Sequence, residues 1–264
     1  GPYRDKKAYD LLIQSESGFV SITGSPDAPA KAGCSIADIA AGMYAYTNIL
    51  TALIERGRSG RGRRIDVSML ESMVEWMGYP LYYAYDGAPP PPRAGAAHAT
   101  IYPYGPFPTG DGASVMLGLQ NEREWQVFCD QVLQRPGLAA DPRFASNAAR
   151  SAARDELRAL IVDTLSGLSA AQLMRRLDEA GIANAQVNEL AQVWAHPQLA
   201  ARARWVEVDT PAGPVPAALP PGARDAAAVR MDAVPALGEH SAAILGELGY
   251  DARQIDELRR DGAL

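Results

Sequence analysis

The chain has 264 residues, 47% of them hydrophobic and 21% charged, so it is long enough to bury one large or two small cores and is neither disordered nor collagen-like. Its 31 acidic against 25 basic side chains leave a net charge of −6, a poor match to a polyanion such as DNA or RNA. Two cysteines, Cys34 and Cys129, are too few for a disulfide framework and predict a reducing, cytoplasmic setting.

The first 34 residues are turn-rich, with Gly18, Gly24, Pro26, Pro29 and Gly33 interrupting any long element. From Ile36 the apolar positions Ile36, Ile39, Ala40, Met43, Leu50, Leu53 and Ile54 recur at helical spacing, and Gly57 predicts the stop. Ser35 followed three residues later by Asp38 has the form of a capping box, which puts Asp38 in the helix's first turn. The stretch 34–54 also carries Asp38, Tyr44, Tyr46, Thr47 and Asn48, so it is too polar to span a bilayer, and no signal peptide or anchor is visible.

Five arginines, Arg56, Arg58, Arg61, Arg63 and Arg64, alternate with glycines and read as a solvated turn with at most a peripheral phosphate contact. The pattern predicts a strand over 65–69 and a second helix over about 70–76. The run Pro89, Pro90, Pro91 and Pro92 after Asp86 and Gly87 reads as a stiff linker and a domain boundary. Beyond it, 102–108 and 113–119 flank Gly110-Asp111-Gly112 as a hairpin. Helices are predicted over 122–133, 154–165 and 170–180, the last with Ser169 as cap and Gly181 as stop. A strand over 182–187, a hairpin around Pro211-Ala212-Gly213 and two helices over 241–248 and 252–259 complete an α/β or α+β mixture in two lobes.

Phosphate loops, dinucleotide fingerprints, a nucleophile elbow and a zinc-protease motif are all missing from the sequence. His98, His196 and His240 are too widely spaced to predict a dedicated metal site. His196 before Pro197 reads as a turn residue and His240 as a structural or capping contact. His98 lies in the small-residue loop that includes Gly95, where an active-site flap fits. Asp38 supports two readings. A carboxylate in a first turn stabilises the helix through its macrodipole by roughly 0.3–1 kcal/mol. The same carboxylate among Ile36, Ala37, Ile39, Ala40 and Ala41 is closely approachable and partly stripped of water, which suits a nucleophile.

Several segments, in order and spacing, resemble the family III CoA-transferases, the superfamily of formyl-CoA transferase, carnitine-CoA transferase and methylacyl-CoA racemase. They are Lys7-Ala8-Tyr9-Asp10, Ser17-Gly18 through Thr23-Gly24, Ala37-Asp38 through Gly42, and Ser59-Gly60-Arg61-Gly62-Arg63-Arg64-Ile65-Asp66-Val67-Ser68-Met69. The likeness continues through Pro103-Tyr104-Gly105, Asp111-Gly112, Asp141-Pro142-Arg143-Phe144, His196-Pro197, Leu237-Gly238-Glu239-His240 and Glu247-Leu248-Gly249. It implies an α/β fold, the remainder of a Rossmann-like large domain with a smaller α+β domain, in an interlocked homodimer. The implied division is 1–88 as the part of the large domain that carries the nucleophile, 89–195 as linker and small domain, and 196–264 as a return to the large domain.

The resemblance implies that Asp38 is the nucleophile and that Lys7 and Tyr9 lie against CoA and its thioester. Gly95 and His98 fall where some members carry a glycine-rich flap, here largely replaced by Ala96, Ala97 and His98. The implied substrates are an acyl-CoA and a small carboxylic acid, with no metal. The segment Ile101-Tyr102-Pro103-Tyr104-Gly105 looks like the branch acting on small dicarboxylates. A racemase of the same superfamily is the alternative, disfavoured because Tyr9 stands where a His base would be and a phenol is a poor base near neutral pH. A non-catalytic chain that completes a partner's site is the alternative of another class. The family places the features around Lys7 and Tyr9 well inside its chain, so the sequence predicts that an N-terminal segment carrying most of the CoA surface is missing and that these 264 residues are not self-sufficient.

Overall fold

In the computed structural model, which describes residues 1–264 apart from the side chain of Ala228, the chain forms two compact units, Gly1–Val187 and Asn188–Leu264. Among the described residues every strand pairing is antiparallel, and no helix is long and apolar enough to cross a membrane.

The first unit begins with α1 (Asp10–Glu16) and the single turn α2 (Phe19–Ile22), then the long α3 (Ile36–Ser59), α4 (Met69–Trp76) and α5 (Gly78–Tyr83). A small core joins α1, α3 and α4: Ile13, Ala37, Ala40 and Met73 are buried, with Phe19, Ile36, Met69 and Leu70 packed against them. Two alanines on one face let α3 approach its neighbours closely. Its other side leaves Met43, Tyr46, Ile49, Leu53 and Ile54 exposed. Gly57 does not end this helix. It continues to Ser59 and stops at Gly60, whose φ of 69° is the left-handed conformation that a helix end favours and that glycine adopts without strain. The expected strand over 65–69 does not form, since among the described residues no strand pairs with it; α4 starts at Met69, capped by Ser68 through a 3.3 Å bond from the Glu71 amide.

After the proline run, β1 (Tyr104–Pro108) and β2 (Ser114–Gly118) form the expected hairpin, and β3 (Ala183–Gln186) adds to the far edge of β2 in the register Val115 opposite Gln186. Between them lie α6 (Glu122–Val127), α7 (Asn147–Ala152), α8 (Arg154–Leu165) and α9 (Ala170–Glu179). The predicted single helix over 122–133 is instead α6 followed by a π-helical turn, Phe128–Val132, which buries Phe128, Cys129 and Val132 together. The capping box of α9 is formed as Ser169 with Gln172, and Gly181 follows with φ 67°. Asp111 in the hairpin turn accepts from the Ala170 amide at 3.0 Å, tying the turn to the start of α9, and the Thr109 hydroxyl hydrogen bond beside it holds the Asp111 carboxyl below the usual carboxylate range. The main core is built from β1, β2 and these helices, with Phe107, Trp125, Phe128, Phe144, Ile161 and Leu173 almost wholly buried.

Burial pushes the Cys129 thiol up to about 12, against a weaker opposing pull from Arg150, whereas Cys34 is exposed. A thiol that far from ionisation is inert, because the thiolate is the nucleophile. Alkylation of the native protein at pH 8, mapped by peptide mass, is therefore expected to label Cys34 rapidly and Cys129 only after denaturant is added. Equal labelling of both in the native state would mean that this core opens readily.

The second unit contains α10 (Leu190–Trp194), α11 (Pro197–Ala201), the hairpin β4 (Trp205–Val208) and β5 (Val215–Ala218), and α12 (Ser241–Glu247) and α13 (Ala252–Arg260). His196 is a turn residue as expected, its Nδ1 accepting from the Gln198 amide at 3.2 Å to cap α11. His240 stands at the N-cap position of α12 without a side-chain cap bond. Arg204 is buried and donates to the carbonyls of Leu219, Pro220 and Ala223, closing the β4–β5 hairpin onto the segment that follows it.

Candidate active site

Asp38 sits in the first turn of α3, as the pattern predicts, but the expected capping box is not made: Ser35 contributes no side-chain hydrogen bond. The cap comes from another helix. Asp10, the first residue of α1, accepts from the Ala37 amide through Oδ1 at 2.8 Å, and from Gln14 Nε2 through Oδ2 at 2.7 Å. Gln14 is fully buried and accepts from the Ala32 amide at 2.8 Å. The Asp38 side chain is exposed, so within this chain it is not the partly desolvated group that its apolar sequence neighbours suggest. Those neighbours divide by helical face: Ala37 and Ala40 turn inward, while Ile39 is half exposed.

Tyr9 is the N-cap residue of α1, next to Asp10 and 64% exposed. The Asp10–Ala37 bond therefore brings the neighbour of Tyr9 onto the neighbour of Asp38, across 27 residues of sequence. Lys7 lines a cleft of about 750 Å³ between the segment containing Tyr3, Lys6, Leu12 and Glu16 and the start of α4 at Ser68, Met69 and Leu70. Neither Tyr9 nor Asp38 lines it.

Gly95 and His98 belong to a docked loop on the same unit. The Gly95 amide donates to the Gly24 carbonyl at 2.7 Å, and Arg93 donates to the carbonyls of Ser21, Ser25 and Pro26. His98 stacks on Tyr104 with ring centroids 5.2 Å apart, and its Nδ1 accepts from the Thr100 and Ile101 amides at 3.2 and 3.0 Å. Both bonds require a lone pair on Nδ1, which puts the proton of the neutral ring on Nε2. Of the five arginines expected in a turn, Arg56 and Arg58 instead lie in the last turn of α3, which runs past Gly57, while Arg61, Arg63 and Arg64 follow in an exposed irregular segment, with Arg63 paired to Glu55 and Arg64 to Asp66. Among the described residues no cluster of His, Cys, Asp and Glu could hold a metal.

The pattern of CoA-transferase family III matches residues 1–241. The chain belongs to that family. As a family III chain it is 35% identical over 252 residues to succinate–glutarate CoA-transferase from Agrobacterium fabrum, a match covering 94% of this chain and 62% of the relative. It is 28% identical over 268 residues to human succinyl-CoA:glutarate CoA-transferase, covering 100% of this chain and 61% of that one. Among solved structures it is similar to a CaiB/BaiF family protein from Brucella suis, with a TM-score of 0.79 and 34% identity over 94% of this chain and 65% of the other. The chain thus spans about half to three fifths of the length of the curated relatives it matches. The family III assignment agrees with the α/β reading of the sequence. Asp10 and Gln14 were missed by local pattern reading, because a cap supplied from another helix leaves no signal at the helix it caps.

Proposed function

We propose that the protein transfers CoA between an acyl-CoA thioester and a free dicarboxylic acid, with Asp38 as nucleophile. The observation that carries this reading is an exposed carboxylate at the start of a long helix whose first turn is tied down from outside, in a chain of a family whose named relatives are CoA-transferases. Relatives named for succinate, glutarate, mesaconate and D-citramalate support a dicarboxylate substrate.

In the proposed sequence one Asp38 oxygen attacks the donor thioester carbonyl, the C–S bond breaks, and CoA thiolate leaves behind an acyl–aspartyl anhydride. The thiolate attacks the aspartyl carbonyl, freeing the donor acid and giving an aspartyl thioester. The acceptor carboxylate displaces the thiolate to form a second anhydride, whose acyl carbonyl the thiolate then attacks. That step yields the new acyl-CoA and restores the Asp38 carboxylate, with no net proton transfer. Water must be excluded throughout, since it would hydrolyse either activated species. Lys7 and Tyr9 are proposed to contact CoA and the thioester, and Gly95 and His98 to border the substrate. The division 1–88, 89–195 and 196–264, an interlocked homodimer and a cytoplasmic location belong to the same proposal.

Incubating the full-length protein with a panel of acyl-CoA donors and free acids, with products read by mass, tests the reading. Exchange is expected among small dicarboxylates, and at least about tenfold more slowly with monocarboxylates of similar size, which lack a second charge to anchor them. No exchange with any pair overturns it. Rapid α-deuterium uptake from heavy water without exchange of acids would instead identify a racemase.

A further inference from the structure

We propose that Asp10, backed by Gln14, is a positioning residue for the Asp38 carboxylate. The proposal rests on Asp38 being the nucleophile. The first turn of any helix has amide groups without intrahelical partners, and a side-chain oxygen normally satisfies one of them from the N-cap position. In α3 that position is Ser35, which makes no such bond, and Asp10 supplies the oxygen from α1. One carboxylate thus binds two groups: Oδ1 takes the Ala37 amide and Oδ2 takes Gln14 Nε2. Gln14 has no exposed surface and its carbonyl oxygen holds the Ala32 amide, so the clamp also fixes the loop leading into α3.

Asp38 is the residue immediately after the clamped amide, and its own side chain is exposed. The turn that bears it is therefore held from the Asp10 side. Deeper along α3, Ala40 is buried against Ile13 and Met73, which anchors the rest of the helix independently of the clamp. Loss of Asp10 should loosen the first turn and leave the helix docked. A displacement of about 1 Å at a reacting group is enough to cost about 100-fold in rate.

The test compares Asp10→Ala, Asp10→Asn and Asp38→Ala in the protein that carries out transfer. Asparagine keeps an acceptor for the Ala37 amide, the bond that holds the turn, and gives up only the bond from Gln14 Nε2, so it serves as the conservative rescue. Asp10→Ala is expected to lower kcat about 10- to 100-fold with KM for acyl-CoA changed less than about threefold, and Asp10→Asn to recover most of the loss. Amide exchange in the peptide spanning Ala37 and Asp38 should speed up about tenfold in Asp10→Ala, with the peptide around Ala40 unchanged. Wild-type kcat in Asp10→Ala, or a loss that Asp10→Asn does not recover, overturns the proposal. So does faster exchange spread along all of α3, which would make Asp10 a stabiliser of the helix as a whole. If Asp38→Ala stays active, the nucleophile assignment fails instead, and the exchange measurement still reports whether Asp10 holds the turn.

Discussion

On the proposed mechanism, Asp38→Ala and Asp38→Asn are each expected to abolish CoA transfer, by about 1,000-fold or more, while the protein keeps its fold. Alanine removes the acyl acceptor, and an amide cannot replace it, because its oxygen carries no charge to attack with and forms no anhydride that thiolate would resolve. The structural loss is small. Asp38 is exposed, it makes no cap of its own, and the amide before it is bonded to Asp10, so only the macrodipole contribution of roughly 0.3–1 kcal/mol is removed. Circular dichroism and the thermal midpoint should stay close to wild type while mass-resolved transfer vanishes. More than a few per cent of residual transfer in either variant would remove Asp38 from the chemistry.

The largest expected effect on stability lies at Arg150, which is 2% exposed in the core of the first unit. Its Nε donates to the Tyr102 carbonyl at 2.9 Å, Nη1 donates to the Phe144 carbonyl at 3.1 Å and to Glu122 at 2.6 Å, and the guanidinium lies 5.0 Å from the centre of the Trp125 ring. Arg150→Met keeps the volume and loses every donor. Two carbonyls are left without this partner, at about 1–3 kcal/mol each, while Glu122 is half exposed and regains water, so the total is expected near 3–4 kcal/mol. With stabilities of about 5–15 kcal/mol typical of folded proteins, such a loss should move the urea midpoint by about 1 M or more. A shift under about 0.3 M would show that water takes over these contacts.

The same pair sets a pH dependence. The Arg150 hydrogen bond is the main cause holding the Glu122 carboxyl below its ordinary value, against a smaller effect of burial. A depressed native value means that the contribution is fully present above the unfolded value, about 4.3, and is lost as pH falls through the lower native one. Wild type and Arg150→Met should therefore draw closer in stability below about pH 4.

Where a signal is local, the sequence carried it. Ser169 and Gly181 flank one helix, and α9 begins and ends where they indicate. The hairpin around Gly110-Asp111-Gly112 and the helices Ser241–Glu247 and Ala252–Arg260 were legible for the same reason. Ile65 to Val67 alternates like a strand, but alternation describes a face and cannot supply the neighbouring edge on which a strand depends. The turn bearing Asp38 was legible as the start of a helix, yet what holds it was not: the bond from Ala37 reaches back 27 residues. Arg150 carried no local signal, because its partners Tyr102 and Glu122 are dispersed along the sequence.

The three-stranded sheet has a consequence for how the chain is made. β2 is its middle strand, yet the strand completing its far side, β3, arrives about seventy residues later, after four helices. At synthesis rates of roughly 5–20 residues per second, the β1–β2 hairpin waits about 4–14 s with one row of backbone groups unpaired and Val115 and Leu117 lacking the helices that later cover them. For that interval the nascent chain presents a sticky ribbon on which chaperones would act. Slowing translation after β3 would bring no relief, whereas faster passage through the helices between β2 and β3 would shorten the exposure.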